Sequence, residues 1–300
     1  MTDNGKPIIG FIGLGLMGSA MVQRLQNLNY SLIVLAHRNR KPIEDAVARG
    51  AVEAFSPKEV AEKSDIVMLC VDTSQAVEAI MSGENGVVSG LKERSIVVDF
   101  GTSIPRSTRI LAEQCKQKGA SMMDAPLGRT PLQAVGGLLN IMSAGDKADF
   151  ERMKPVFEDQ GENVFYVGPI GAGHTLKLIN NFFSMTTACA MSEAFAMADL
   201  AGIERQTLYD VMASGPLKSP MMEMIKYGAV DKEPGKLAFS IDNGLKDVGY
   251  YGQMADDFKV PSLISPAVKN ALSLAQSMGW GEKMVPEMVD YIAGIYSKKE

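Results

Sequence analysis

The chain has 300 residues, of which 46% are hydrophobic and 22% charged, proportions typical of a globular protein with about two domains. Thirty Lys and Arg against 35 Asp and Glu give a net charge of −5, which argues against nucleic acid as a partner, and no apolar run approaches the ~20 residues that span a bilayer. Three widely spaced cysteines and two histidines, with no Cys-x-x-Cys pair, exclude a structural zinc site and predict buried, unreactive thiols. Because the start of the chain also lacks a signal-peptide pattern, we expect a cytoplasmic protein that binds neither metal, membrane nor nucleic acid.

The first half of the chain alternates short apolar runs with helical patterns. Five runs are predicted to be strands: Pro7–Gly13, Ser31–Ala36, Ile66–Val71, Ser95–Phe100 and Ala120–Asp124. The segments between them are predicted to be helices, for example Met17–Leu28, Pro42–Arg49 and Arg106–Lys118, and two later runs could extend the sheet, Leu138–Ala144 and Asn163–Val167. This alternation is typical of a mostly parallel sheet covered on both faces, so residues 1–168 are predicted to form an α/β domain.

The pattern changes after Gly168, where the breaker cluster Pro169–Gly173 precedes a long apolar helix predicted over His174–Ala201. Five further segments have helical patterns: Arg205–Ala213, Pro220–Tyr227, Asp242–Phe258, Ser265–Met278 and Val285–Tyr296. Many of the 20 methionines lie in this half and are predicted to fill its core. Residues 169–300 are therefore predicted to form an all-α domain.

A glycine-rich turn follows the first predicted strand and opens a helix; its residues are Gly13, Leu14, Gly15, Leu16, Met17 and Gly18. In a dinucleotide-binding fold, the first glycine permits the tight turn, the second lets the main chain approach a pyrophosphate, and the third lets helix and strand pack closely. The helix N-terminus then offers N–H groups to the anion. In this position the motif predicts a Rossmann domain that binds a dinucleotide at these six residues, the alternative being a turn that is merely rich in glycine.

The end of the second predicted strand decides between NAD and NADP. An acidic residue there would bind the ribose hydroxyls of NAD, whereas arginine accommodates the 2′-phosphate of NADP. This chain has His37, Arg38 and Asn39, then Arg40 and Lys41, with no acid until Glu44. We expect the first three to bind the cofactor and favour NADP(H), although a solvated basic loop and NAD(H) remain alternatives.

Lys177 and Asn181 lie four residues apart near the start of the long helix, so both project from one face. A lysine among apolar neighbours can have a lowered pKa and serve as a general acid or base. An asparagine one turn away can hold a carbonyl or hydroxyl oxygen without charge. His174, three residues before the lysine, is predicted either to face the same pocket or to pack at the helix start.

Five motifs occur in order along nearly the whole chain: GFIGLGLMG at 10–18, VVDFGTSIP at 97–105, DAPLGRT at 124–130, GAGHTLKLINN at 171–181 and the pair Lys246-Asp247. Together they resemble the β-hydroxyacid dehydrogenases, which include 3-hydroxyisobutyrate dehydrogenase and are 6-phosphogluconate dehydrogenase-like. The resemblance implies a Rossmann domain followed by an all-helical domain, an active site between them, and a homodimer or homotetramer. It also implies that Lys177 is the catalytic proton donor or acceptor, that Asn181 orients the substrate, and that Thr102 and Lys246 line the nicotinamide site.

Three departures from the family pattern bear on the substrate. Where the family has a Ser-Gly-Gly loop for the substrate carboxylate, this chain has Gly128, Arg129 and Thr130, a loop similar to that of the sulfolactaldehyde reductase branch. An arginine fork with a threonine hydroxyl suits an anion with three oxygens, the alternative being that Arg129 points to solvent and Thr130 caps a turn. Val71 replaces part of a Leu-Pro pair in the loop beside the nicotinamide, and Gly101 stands where serine is common.

These residues predict an enzyme that reduces a small anionic semialdehyde, such as sulfolactaldehyde or succinic semialdehyde, to its primary alcohol, or catalyses the reverse reaction. Lys177 would move the proton, Asn181 with Asn180 would hold the reacting oxygen, and residues 128–130 would bind the remote acid. The alternatives are 3-hydroxyisobutyrate or tartronate semialdehyde chemistry and, more distantly, a non-catalytic dinucleotide-binding protein.

Overall fold

The computed structural model describes residues 5–35 and 39–297. Its nine described strands form one sheet: β1 Ile9–Ile12, β2 Leu32–Leu35, β3 Val52–Ala54, β4 Ile66–Leu69, β5 Ile96–Asp99, β6 Ser121–Asp124, β7 Leu127–Gly128, β8 Leu139–Ala144 and β9 Gly161–Gly168. Their order is β3-β2-β1-β4-β5-β6-β8-β7, with β9 paired to β8. All pairings are parallel except those of β8 with β6 and with β7. The prediction of a mostly parallel sheet is therefore confirmed.

The central strands are short apolar runs buried along their whole length, as in β1 and β4. Such strands form because both faces of the sheet are covered, so that every position faces a core. The parallel strands also end in register: Ile12 pairs with Leu69, Leu69 with Asp99, and Asp99 with Asp124. The loops that follow these four residues therefore leave the sheet at one edge, where ligands bind in open α/β sheets.

Eight helices accompany the described strands: α1 Leu16–Asn27, α2 Lys41–Ala48, α3 Pro57–Lys63, α4 Ser74–Met81, α5 Val87–Gly90, α6 Pro105–Lys116, α7 Pro131–Val135 and α8 Lys147–Gln160. They cover two separate buried clusters, one centred on Phe11, Met21 and Phe157 and the other on Leu69, Met81 and Leu111. Pro at the first turn of α6 and α7 fits these starts, because the amide that proline lacks has no partner within the helix there.

The described residues after the sheet form six α-helices with connecting segments: α9 Ala172–Leu200, α10 Arg205–Ala213, α11 Pro220–Ala229, α12 Ile241–Asp257, α13 Ser265–Ala275 and α14 Met288–Ser297. Their core contains the buried methionines Met185, Met191, Met222 and Met288, which confirms the predicted use of methionine as core filler. The chain forms two compact units that divide between Lys177 and Leu178, inside α9. The domain boundary placed after Gly168 stays a prediction.

The three cysteines are free, and burial raises the pKa of each thiol, Cys70, Cys115 and Cys189, to about 12. At neutral pH these thiols are protonated, and since the thiolate is the nucleophile they are unreactive. In residues 5–35 and 39–297, no helix combines the length and hydrophobicity required to cross a bilayer.

Candidate functional site

The three glycines of the first loop each meet a different steric demand. Gly13 has φ +101°, and a Cβ there would overlap the Cys70 carbonyl oxygen. A Cβ on Gly18 would overlap the Gly13 carbonyl oxygen and approach Phe11 to 3.1 Å, so the glycine lets α1 pack on β1. At Gly15, in contrast, an added Cβ would have no neighbour within 4 Å, and this residue is the N-cap of α1. The open main chain at Gly15 and the amides of the first helical turn fit a bound pyrophosphate.

The apolar residues of this loop divide between the core and the surface. Leu14 and Met17 pack against the buried cluster of the sheet, while Leu16 is 84% exposed at the first position of α1. An exposed leucine beside the glycine-rich turn offers an apolar surface to a ligand, so it fits the predicted cofactor contact.

Two further loops meet the glycine-rich loop at the carboxyl edge of the sheet. A Cβ on Gly13 would lie 2.7 Å from Val71 Cγ1, and a Cβ on Gly101 would lie 2.9 Å from the Val71 carbonyl oxygen and 3.0 Å from Asp99 Oδ1. Gly101 therefore replaces the usual serine at a place with no room for a side chain in this backbone. Thr102, which follows it, is half-buried. The structure thus brings the predicted cofactor residues Gly13, Val71 and Thr102 into neighbouring loops.

At the end of β2, the predicted residues His37 and Arg38 lie outside the described residues. Asn39 is exposed, and its Oδ1 accepts the Lys41 amide at 3.2 Å. Arg40 donates to both carboxylate oxygens of Glu53 on β3, at 2.7 and 3.1 Å. The described part of this basic segment therefore stabilises the start of α2 and the edge strand.

Lys177 reaches the predicted substrate loop directly. Its Nζ donates a hydrogen bond of 2.8 Å to the carbonyl oxygen of Leu127. Leu127 and Gly128 form β7, which is fixed by pairing with β8, and a Cβ on Gly128 would approach Asn140 to 3.2 Å. The side chain thus lies at the loop that follows the carboxyl end of β6, as an acid or base acting on a bound substrate requires.

Arg129 and Thr130 continue this loop and have partners within the protein. Arg129 adopts φ +78°, a conformation that non-glycine residues rarely take. Its Nη1 donates to the Leu138 carbonyl oxygen at 2.6 Å and pairs with Glu162 Oε2 at 2.5 Å, and its side chain is 30% exposed. The Thr130 hydroxyl donates to Gln133 Oε1, which also accepts the Thr130 amide at 3.0 Å. The loop therefore presents a guanidinium that is already bound to a carboxylate.

A second group of predicted residues gathers on α9 and α12. Asn181 is 6% exposed and its Nδ2 donates to Asp247 Oδ2 at 2.6 Å. Asn180 is exposed, and its Nδ2 lies 3.3 Å from Asn181 Oδ1. The Lys246 ammonium lies 3.3 Å from the other Asp247 oxygen, Oδ1. These contacts orient the Asn181 amide and hold the Lys246 side chain.

The sequence motifs left Asp247, which contacts both Asn181 and Lys246, without a role. It is 1% exposed, and a buried carboxylate needs a charged or hydrogen-bonding partner to offset its lost hydration. The signal in the sequence is that Asp247 shares a helical face with Gly244 and Tyr250, neither of which is charged. Stacked rings of Phe182 and Tyr251, 4.2 Å apart and 7° from parallel, hold α9 and α12 together beside it.

Two family models cover most of the chain. One is described as the NAD binding domain of 6-phosphogluconate dehydrogenase and matches residues 8–168; the other is described as NAD-binding of NADP-dependent 3-hydroxyisobutyrate dehydrogenase and matches residues 171–292. The first match alone spans more than half of the chain, and the second covers most of the remainder.

The chain is also similar to individual proteins whose names fit this family. The chain is 30% identical to 3-sulfolactaldehyde reductase of Escherichia coli (strain K12) over 298 residues, 97% of this chain and 98% of that one. It is 29% identical to glyoxylate/succinic semialdehyde reductase 1 of Arabidopsis thaliana over 274 residues, 91% and 94% of the two chains. The crystal structure of 3-hydroxyisobutyrate dehydrogenase from Salmonella typhimurium matches with a TM-score of 0.82 and 26% identity, covering 95% of this chain and 100% of that one. As its motifs predict, the chain belongs to the 3-hydroxyisobutyrate dehydrogenase-like family of NAD(P)-dependent β-hydroxyacid dehydrogenases.

Proposed function

We propose that this enzyme interconverts a small anionic semialdehyde and its primary alcohol, with sulfolactaldehyde and succinic semialdehyde as the leading substrates. The observation that supports this most directly is the hydrogen bond from Lys177 Nζ to the Leu127 carbonyl oxygen, two residues before Arg129. It brings the amine of Lys177, on α9, to the loop that carries Arg129. A small molecule with a carbonyl at one end and an acid at the other matches that arrangement.

Each residue then has a defined task. A bound nicotinamide dinucleotide supplies the hydride in reduction and accepts it in oxidation. Lys177 gives its proton to the oxygen of the reduced carbonyl, or takes the proton of the hydroxyl in the reverse direction. Asn181, oriented by Asp247, donates its amide to the same oxygen, with Asn180 beside it. Each unit also carries a residue that the family motifs assign to the nicotinamide, Thr102 in the first and Lys246 in the second.

The acid group of the substrate is assigned to Arg129 and Thr130, with Gly128 beside them. In the structure the Arg129 guanidinium pairs with the Glu162 carboxylate, an observation that supports its assignment to an anionic group. A sulfonate offers three acceptor oxygens to the guanidinium and to the Thr130 hydroxyl, which would exchange its present acceptor, Gln133 Oε1, for one of them. The Escherichia coli relative is named 3-sulfolactaldehyde reductase, and sulfolactaldehyde carries such a sulfonate.

Arg129→Gly tests the assignment of the acid group without straining the fold, because glycine accepts φ +78° better than arginine does. We expect kcat/KM for sulfolactaldehyde to fall about 100-fold or more, as for loss of a charge-assisted contact, with NADPH affinity unchanged. Initial rates with sulfolactaldehyde, succinic semialdehyde, tartronate semialdehyde and 3-hydroxyisobutyrate measure this. Arg94→Gly is the matched control, since Arg94 has φ +65° on a loop outside the predicted site residues.

The outcome of the panel decides between substrates. If Arg129→Gly lowers neither the sulfonate nor the carboxylate rates, the assignment of Arg129 is wrong. A wild-type preference for tartronate semialdehyde would favour carboxylate chemistry, which the Arg129–Glu162 pair also supports. Absence of turnover with every compound, despite tight NADPH binding, would favour a non-catalytic dinucleotide-binding protein.

NADPH is proposed as the preferred cofactor, on the basis of the cationic His37–Asn39 segment and the absence of an acid before Glu44. Measuring the same panel with NADH gives the ratio of kcat/KM values that tests this preference.

A homodimer or homotetramer is proposed as the working form. Apolar side chains are exposed at helical spacing along α9, namely Leu176, Ile179, Phe183 and Met197. Exposed apolar surface of this kind is typical of subunit interfaces.

Asp247→Asn tests the orientation of Asn181. The asparagine keeps the shape but removes the charge that accepts the 2.6 Å hydrogen bond and pairs with Lys246. Hydrogen bonds to charged groups contribute about 1.5–3 kcal/mol, so we expect kcat to fall about tenfold or more in a folded protein. Asp256→Asn, on the exposed face of the same helix, should retain wild-type kcat. Equal rates in the two variants would remove Asp247 from the site.

A further inference from the structure

A cluster of buried polar side chains lies beneath the first turn of α9. His174 is 0% exposed, and its Nδ1 lies 2.8 Å from the Thr108 hydroxyl of α6. Its Nε2 is 3.6 Å from Asp99 Oδ2, beyond hydrogen-bonding distance, and has no hydrogen-bond partner among the described residues. The Thr108 hydroxyl is itself 3.2 Å from the Ile104 carbonyl oxygen, to which it donates. The imidazole can therefore donate from Nδ1 to that hydroxyl.

Two buried carboxylates border this imidazole and fix the surrounding loops. Asp99 accepts the Gly101 amide at 2.8 Å and the Ser103 hydroxyl at 2.7 Å, so it shapes the loop that carries Thr102. Asp124 accepts the amides of Gly171 and His174, both at 2.7 Å. It thereby satisfies two N–H groups that a helix start leaves without partners.

The charged groups around His174 come from three elements. Asp99 lies at the end of β5 and Asp124 at the end of β6, with Asp124 Oδ2 3.9 Å from Nδ1. The Arg109 guanidinium of α6 lies beside Gly171, where a Cβ would approach it to 2.7 Å. Burial raises the pKa of Asp124, and the nearby imidazole opposes this effect. The start of α9 is thus held by hydrogen bonds from several directions.

Lys177 follows His174 by three residues, less than one helical turn. A rigid helix transmits any shift of its first turn to the next one, and Lys177 Nζ must reach the Leu127 carbonyl oxygen within 2.8 Å. A displacement of about 1 Å at a reacting group can reduce the rate by about two orders of magnitude.

We propose that His174 is a positioning residue of the active site, whose hydrogen bond to Thr108 anchors the first turn of α9 and thereby sets the position of Lys177 Nζ. This inference rests on the proposed function, in which Lys177 moves the proton. It assigns to the buried imidazole a task beyond packing at the helix start. The Thr108 hydroxyl of α6, as the hydrogen-bond partner of that imidazole, shares the task.

Substitutions that separate volume from hydrogen bonding test the proposal. His174→Leu fills the space without a donor, whereas His174→Asn places an amide nitrogen near the position of Nδ1 and can still bond to Thr108. Thr108→Val removes the hydroxyl, and Thr108→Ser keeps it. We expect kcat to fall about tenfold or more in His174→Leu and Thr108→Val, with partial or full recovery in His174→Asn and Thr108→Ser. The Kd of NADPH should stay within about twofold, since the glycine-rich loop is untouched.

A second readout does not depend on any substrate. Reductive methylation followed by peptide mass spectrometry reports how accessible the Lys177 amine is. We expect faster labelling of Lys177 in His174→Leu and Thr108→Val than in wild type or the two hydrogen-bonding variants, with Lys154 as the reference amine. Thermal midpoints are measured for all four variants, so that general destabilisation is seen separately.

The results distinguish the two proposals. If His174→Leu and Thr108→Val lower the thermal midpoint but leave both kcat and Lys177 labelling at wild-type values, His174 acts only in core packing. If wild type turns over none of the semialdehydes, the proposed function fails, and the labelling comparison still decides whether His174 positions Lys177.

Discussion

Lys177→Ala is expected to bind NADPH with near wild-type affinity and to lose about 10³-fold or more in kcat. General acid–base groups contribute about 10²–10⁴-fold, and the alanine leaves the substrate oxygen without its proton donor. The glycine-rich loop that holds the cofactor is unchanged in this variant. Fluorescence titration of NADPH and steady-state rates with the best semialdehyde of the panel measure the two effects.

Lys177→Arg sharpens this test. Arginine keeps the positive charge and can donate to the Leu127 carbonyl oxygen, but it does not give up its proton at any accessible pH. We therefore expect Lys177→Arg to be almost as inactive as the alanine variant. Lys154→Ala, on the exposed surface of α8, is the control and should retain wild-type rates. More than about a tenth of wild-type kcat in either Lys177 variant would contradict a role in proton transfer.

Gly18→Ala and Gly15→Ala are expected to impair different properties, the first the stability of the fold and the second the binding of the cofactor. The alanine methyl at position 18 would overlap the Gly13 carbonyl oxygen at a backbone contact that cannot yield, so we expect a loss of about 3 kcal/mol or more in the free energy of unfolding. At position 15 the methyl meets no protein atom, and the cost should stay within about 1 kcal/mol, that of replacing glycine at an N-cap.

Cofactor binding by the folded molecules should change in the opposite order, with a larger loss of NADPH affinity in Gly15→Ala than in Gly18→Ala. A methyl at Gly15 blocks the main-chain approach to a pyrophosphate, so we expect the Kd of NADPH to rise about tenfold or more in a protein of nearly normal stability. Chemical denaturation and NADPH titration on both variants measure this. A stable Gly15→Ala protein with unchanged Kd would show that the open space at Gly15 is not where the dinucleotide binds.

The elements that could be predicted from the sequence are those that local pattern determines. β1 and β4 are unbroken apolar runs, and α1 begins at the glycine-rich turn, so their positions follow from a few neighbouring residues. The edge strand β3 was missed, because three residues with an exposed start carry little pattern. β7 was missed for a different reason: it is two residues long and exists only by pairing with β8.

The contacts of the candidate site could not be read from spacing, because they join distant parts of the chain. Lys177 and Leu127 are 50 residues apart, and Asn181 and Asp247 are 66 apart. The motifs predicted that Lys177 and Asn181 matter, but the partner of each depends on how the helices pack. The alternative placement of His174 at the helix start agrees with its complete burial.

The register of the parallel strands has a consequence for how mutations in other parts of the protein affect the loops of the site. The loops of the site continue the sheet ladder, since the Phe100 amide donates to the Leu69 carbonyl oxygen and the Ala125 amide to that of Asp99, both at 2.8 Å. Amides of this kind exchange with solvent only when a large cooperative unit opens. A mutation in the distant core is therefore expected to change the fraction of folded molecules more than it changes the positions of these loops in the folded ones.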